Sequence, residues 1–289
     1  MKTADVICEF ILNYSKFHLP LLSQKGHILW FYLIQIENES IDISPAIKSI
    51  VEKFPQLGSV QDNRRRSAVD VAAPSNKLAI KSVFLWHGRY RITQNQPEHQ
   101  SATCFVYKAI DEGSESKSDE PLPVALKFMR FKAHYRREIG TRKINFSSDY
   151  VVDILRSYPP ESDIDSWPED SYEKISDRAA LQDSNFSLTK LVAESMFLIV
   201  MPLADRNMFV SLKQERYAGK NMEEVRHIFT QLLNCVSHVH SKGILHADIK
   251  TLNIVRLGHT WKLIDMDAAG LIGQDTVGFK SSSAYLPPG

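Results

Sequence analysis

The sequence predicts an α+β chain, with a mainly helical region over residues 1–87 and a segment over 88–289 in which short strands precede a long helix. Apolar residues recur at helical spacing early in the chain, β-branched and aromatic runs begin near Gly88, and one long amphipathic stretch runs from Met222 to Ser241. With 289 residues, 43% of them apolar, the chain can bury a core in one large domain or two modest ones.

In the helical region, Ile47, Ile50, Val51 and Phe54 stand at helical spacing. The apolar run Ile28 to Ile36 is about half the length of a membrane helix and is expected to be a core segment. After Pro55, the stretch Asp62 to Ala72 resembles the turn and first helix of an ankyrin repeat: a polar hairpin leads into Ala68, Val69, Val71 and Ala72, small enough for close stacking. An irregular helical extension is the alternative, because stacking needs roughly three such units.

Strands are expected at Gly88–Ile92, Phe105–Ile110 and Pro123–Met129, the last two joined by the polar loop Asp111–Pro121. A helix over about 134–143 and a strand over Tyr150–Leu155 follow. Residues 157–187, rich in Asp and Glu with three prolines, are expected to form an acidic insertion serving as a spacer. Met196–Pro202 has the pattern of a buried strand. The helix Met222–Ser241 carries Val225, Ile228, Phe229, Leu232, Leu233, Val236 and Val239 on one side, and Gly243 ends it.

The chemistry is concentrated after that helix. Ile244 to Val255 sets Asp248, Lys250 and Asn253 in one loop, and Asp265 follows a short apolar run. Moving a phosphoryl group requires a carboxylate to orient the incoming hydroxyl, a cation to neutralise moving charge, and hard oxygen ligands for Mg²⁺. Asp248, Lys250, and the pair Asn253 with Asp265 supply these in order.

Here the chain resembles the eukaryotic-type protein kinases, in their tyrosine-kinase-like group, over about Gly88 to Gly289. Val124-Ala-Leu-Lys127, Glu138, the Asp248 loop and Asp265 occur in the family's order. The resemblance implies a two-lobed kinase fold with a β-rich N-lobe and a helical C-lobe. It also implies ATP and Mg²⁺ as cofactors and a Ser/Thr-bearing protein as substrate. Lys127 would contact the α and β phosphates and Glu138 would hold it; Asp248 and Lys250 would be catalytic; Asn253 and Asp265 would bind metal. Val106 and Ala125 would cover the adenine, Val255 would lie beneath it, and Met201 to Ala204, with Leu203, would form the hinge. Ser282 ahead of Tyr285, with Lys250 after Asp248, favours Ser/Thr over Tyr. Thr276 and Ser281 to Ser283 offer hydroxyls for regulatory phosphorylation, with solvated loop residues the equal alternative. His246 is expected to pack rather than to transfer a proton.

Departures from the family's pattern stand beside these expectations. His99 to Val106 lacks the glycines of a phosphate-covering loop, Ala247 replaces an arginine, and Met266-Asp267 replaces Phe-Gly. Glu138 follows Lys127 so soon that the connection between them must be short. Because the chain ends at Gly289, the C-lobe is expected to be incomplete and to expose apolar surface. A weakly active or inactive pseudokinase, or an ankyrin-type interaction scaffold, is the competing reading.

A net charge of +1 gives no field to favour nucleic acid. No membrane segment or secretory signal stands out. Cys8, Cys104 and Cys235 are far apart and without metal-ligand spacing, so reduced structural thiols and a cytoplasmic location are expected. A protein partner through the ankyrin-like region is a further expectation.

Overall fold

The computed structural model describes residues 60–94, 96–113, 122–167, 197–216 and 222–275, together with positions 30, 31, 33–35, 46, 47, 50, 51 and 57. Among these residues the chain divides into two compact units, one within Met1–Thr93 and Ala109–Leu122, the other within Gln94–Lys108, Pro123–Ser171 and Met196–Gly289.

In the first unit, Asp62 closes a turn by accepting from the amides of Arg64 and Arg66 at 2.8 and 2.9 Å. Ser67 and Asp70 then form a reciprocal capping box that starts α1 (Ala68–Val71). That helix has only four residues, shorter than the expected repeat-like helix, because Ala72 and Ala73 leave helical geometry ahead of Pro74. Pro74 opens α2 (Pro74–Phe84), where a proline costs no hydrogen bond. Ala79, Ile80 and Phe84 of α2 pack with Trp30, Ile34, Ile47, Ile50, Val51 and Leu57, and Trp30 meets Phe84 edge to face at 6.0 Å. The helical spacing of Ile47, Ile50 and Val51 is present as buried helix, while Phe54 lies outside the described residues. Gly88, at φ +64°, turns the chain into β1 (Tyr90–Ile92), which pairs antiparallel with Ala109–Asp111. Arg89 grips Asp111 with two bonds of 2.6 and 2.9 Å beside that pairing.

The second unit carries every candidate site residue. It begins with β2 (His99–Gln100), paired with β3 (Cys104–Asp111) through Val106 and Phe105. Next come β4 (Leu122–Met129), α3 (Lys132–Arg142), β5 (Arg156–Tyr158) and β6 (Phe197–Pro202), with the sheet running β3-β4-β6-β5. The short connection expected before Glu138 is Arg130-Phe131, two residues between strand and helix.

The strand expected over Tyr150–Leu155 is displaced. Val151 makes only an isolated parallel bridge to Leu263, and the ladder strand is Arg156–Tyr158, opposite Val200 to Leu198. Val151 and Val152 are buried, so their β-type pattern reports packing in an extended connection rather than sheet pairing. Within the expected acidic insertion, Glu161–Ser166 form a 3₁₀ turn, and residues 168–196 lie outside the described residues, as does most of the loop before Pro121.

The rest of this unit builds the floor of the site. β7 (Arg206–Asn207) leads into α4 (Met208–Glu215), which Asn207 caps through the Val210 amide at 2.9 Å. α5 (Met222–Ser241) follows, then β8 (Ile244–Leu245), β9 (Ile254–Leu257), β10 (Thr260–Leu263) and β11 (Gly270–Leu271). β7, β9 and β10 form one small sheet; β8 pairs with β11. The expected apolar side of α5 divides. Cys235 and Val239 are buried and Ile228, Leu232 and Val236 pack partly against that core, but Phe229 and Leu233 are 60% and 53% exposed. Each lies one residue, about 100° of helical rotation, beyond its packed neighbour. No helix of the described residues is long and apolar enough to cross a membrane.

Candidate active site

A hairpin explains how distant sequence positions meet. Ile254 of β9 pairs with Leu263 of β10, and the Ile264 amide donates to the Asn253 carbonyl at 3.0 Å. The end of the Asp248 loop is thereby brought beside the start of the Asp265 segment. At their outer ends the same two segments are joined by the β8–β11 pair, just before His246 and just after Ala269.

Inside the loop the polar groups bind one another. Lys250 Nζ donates to Asp248 Oδ2 at 2.7 Å, and Asn253 Nδ2 donates to the same oxygen at 3.0 Å and to the Asp248 carbonyl at 2.9 Å. Asp248 is buried, and a cation and an amide hold its carboxylate. His246 supports it from behind: Nδ1 accepts from the Asp248 amide at 3.3 Å and Nε2 donates to the Ile264 carbonyl at 2.9 Å. Burial holds the His246 imidazole below its ordinary pKa, keeping it neutral. It is a structural histidine, as the sequence implied.

Two residues here adopt left-handed backbone, Ala247 at φ +60° and Asp265 at φ +70°. A side chain pays roughly 1–2 kcal/mol in that region, and such strain collects where geometry is imposed by function. Each lies at the bend that turns an aspartate into the site.

The second cluster centres on Lys127 of β4. Its ammonium lies 2.5 Å from Asp265 Oδ1 and 3.5 Å from Glu138 Oε2; the first is a hydrogen bond, the second a charge contact only. Burial works against this charge, but the carboxylates of Glu138, Asp265 and Asp267 outweigh it and hold the lysine well above its ordinary pKa. Glu138, on α3, also accepts from Arg142 at 3.0 Å, and Arg142 donates onward to the Val152 carbonyl at 2.6 Å. Glu138, Asp265 and Asp267 each offer a carboxylate oxygen, all within 4.8 Å of one another. The Lys127 ammonium stands against two of them, and Asp265 is the one member this set shares with the expected metal pair Asn253 and Asp265.

The expected adenine contacts are met unevenly. Ala125 lies opposite Met201 across β4 and β6, and Met201 and Val255 share one buried cluster with Cys104. Val106 on β3 and Leu203 just beyond β6 are half-buried and stand outside that cluster. Ser282, Tyr285, Thr276 and Ser281 to Ser283 lie outside the described residues, as does Cys8. Cys104 and Cys235 are free and buried, and burial pushes the Cys235 thiol up to about 11.

Three participants were not legible beforehand. In the sequence Asp267 reads only as a lost glycine; in the fold it is a buried carboxylate bound to His134, 3.1 Å away on α3. His134 had no signal beyond standing one helical turn before Glu138. Arg142 did carry one, its i,i+4 spacing from Glu138.

Residues 178–289 match the protein kinase domain family. A stretch of 52 residues is 42% identical to serine/threonine-protein kinase KSP1 of Saccharomyces cerevisiae, covering 17% of this chain and 5% of that protein. Serine/threonine-protein kinase MPS1 of the same yeast is 27% identical over 86 residues, 30% of this chain and 11% of its own. The probable serine/threonine-protein kinase nek1 of Dictyostelium discoideum is 34% identical over 62 residues, 20% of this chain and 13% of its own. The chain thus spans only a small part of the length of the curated relatives it matches. Asp248, Lys250, Asn253 and Asp265 fall inside the family match, whereas Lys127 and Glu138 precede it.

Proposed function

We propose that this chain, which carries a eukaryotic-type protein kinase domain, is a serine/threonine kinase that transfers the γ-phosphate of ATP to a protein hydroxyl. One observation carries the reading. Lys127 and Asp265, 138 positions apart, are joined at 2.5 Å with Glu138 alongside, and Lys127 and Glu138 lie outside the segment that matches the protein kinase domain family. A lysine buried among three carboxylates and kept charged by them fits a cation held ready for phosphate.

Each residue then has a task. Lys127, kept charged by its neighbours, binds the α and β phosphates, and Glu138 holds it in reach. Asp248 takes or orients the hydroxyl proton of the substrate, its carboxylate aimed by Lys250 and Asn253. Lys250 is placed to offset charge on the moving phosphoryl group. Asp265 and Asn253 would hold Mg²⁺, which when bound neutralises phosphate charge and orients the leaving group. Ala125, Met201 and Val255 supply the apolar bed for the adenine, with Val106 and Leu203 at its margins.

Assignment to the tyrosine-kinase-like group, a protein partner docking on an ankyrin-like first unit, and a cytoplasmic location belong to the same reading. They are supported by the motif order, the polar turn Asp62–Arg66 ahead of Ala68 and Val69, and the free, buried Cys104 and Cys235.

A non-catalytic scaffold is the second reading, and the β2–β3 hairpin favours it. Ser101 Oγ accepts from the amides of Thr103 and Cys104 at 3.2 and 3.1 Å, engaging backbone donors that a glycine-rich loop would turn toward phosphate. Thermal stabilisation by ATP with and without Mg²⁺ separates the two. The kinase reading expects a Mg²⁺-dependent rise in melting temperature, and phosphoserine or phosphothreonine on a basic test protein. No shift under either condition would leave the scaffold.

A further inference from the structure

Asp267 is 2% exposed, and its Oδ2 lies 3.1 Å from Nδ1 of His134 in the first turn of α3. A carboxylate so far from water is tolerable only where donors meet it, and losing one partner costs more than the pair gains on forming. His134 stands one turn before Glu138, so the two project from the same face of α3. Both reach the segment after β10. Glu138 does so through Lys127, whose ammonium binds Asp265, and His134 does so directly at Asp267.

Tyr135, its ring 4.9 Å from that of Phe197, and Ile139 seat the inner face of α3 in the core, which leaves its first turn to be set against the segment after β10. Phe131 at its N-cap makes no side-chain cap, and the helix buries only Tyr135, Glu138, Ile139 and Thr141. Lys132, Tyr135 and Arg136 tie it to residues 159–167, which hold none of the site's groups. Asp267 also strengthens the negative surroundings that keep Lys127 charged.

We propose that His134 and Asp267 form a clasp that fixes α3 on the Asp265–Asp267 segment and thereby sets Glu138 against Lys127. Both are positioning residues, and their role rests on the phosphoryl-transfer reading of the site. The residue that removes a glycine from the metal-binding segment thus returns a fixed helix, in exchange for backbone freedom.

Amide hydrogen exchange on the whole chain tests this, with His134→Ala, His134→Asn and the isosteric Asp267→Asn. His134 is 32% exposed, so its replacement leaves the core intact even if the change at buried Asp267 impairs folding. In His134→Ala, exchange within α3 is expected to rise about tenfold while α5 is unchanged, the signature of local rather than global opening. The kcat for phosphate transfer is expected to fall about tenfold with KM for the protein substrate unaltered. His134→Asn, whose amide nitrogen takes the place of Nδ1 and can still donate to Asp267, should restore both. Unchanged exchange in α3, an equal rise in α3 and α5, or no rescue by asparagine would overturn the clasp. A wild-type chain that transfers no phosphate yet shows the localised, rescued response would keep the clasp and remove the kinase reading. Transfer with an unresponsive α3 would do the reverse.

Discussion

At Ser101 a hydroxyl occupies the amides of Thr103 and Cys104, in the place where glycines would leave them to a phosphate. Replacing it by glycine should release those donors and tighten ATP binding roughly 2- to 10-fold, since one hydrogen bond contributes about 0.5–1.5 kcal/mol. Calorimetric titration of Ser101→Gly checks this; unchanged or weaker binding would mean that the hairpin does not cover the phosphates. His246 gives a pH-dependent counterpart. Its folded pKa is depressed by burial, so above the unfolded value of about 6.5 it is neutral in both states and its packing contributes fully. As pH falls below that, the unfolded state takes up the proton first and stability declines, by at most about 1.4 kcal/mol per pH unit for one group. His238 is depressed too, and adds in the same direction. Urea unfolding of wild type and His246→Asn between about pH 5 and 7 should show a flatter slope in the variant.

At the scale of elements, α5 shows both what sequence periodicity conveys and where it stops. Its packed Val239, Ile228, Leu232 and Val236 follow from the 3.6-residue period, but that period cannot say how wide a stripe finds a partner, and buried Cys235 adds to the residues expected on that side. Leu233→Gln should therefore move stability by less than about 0.5 kcal/mol, whereas Leu263→Ala, on buried β10, should cost about 2–5 kcal/mol. Thermal melts of the two variants compare them directly. Asp248, Lys250 and Asn253 were legible because one loop carries all three. The contact between His134 and Asp267 spans 133 positions and follows no local rule, so only the fold reveals it. Val151 and Val152 misled because burial, not ladder pairing, selects β-branched residues there.

Across the molecule, the second unit gathers the chemistry along one path. The β9–β10 hairpin brings Asp265 beside Asn253, β4 delivers Lys127 to Asp265, and α3 delivers Glu138 to Lys127. Two bound networks result, one fixing Asp248 and one fixing Lys127, and phosphoryl transfer requires both. The most direct test is incorporation of labelled γ-phosphate into a basic protein by the wild-type chain and by Asp248→Asn. That variant keeps the shape of the side chain and removes its charge, so incorporation should fall by at least about 100-fold, the usual contribution of a positioned acid–base group. Equal incorporation by the two proteins would contradict the assignment of this site to phosphoryl transfer.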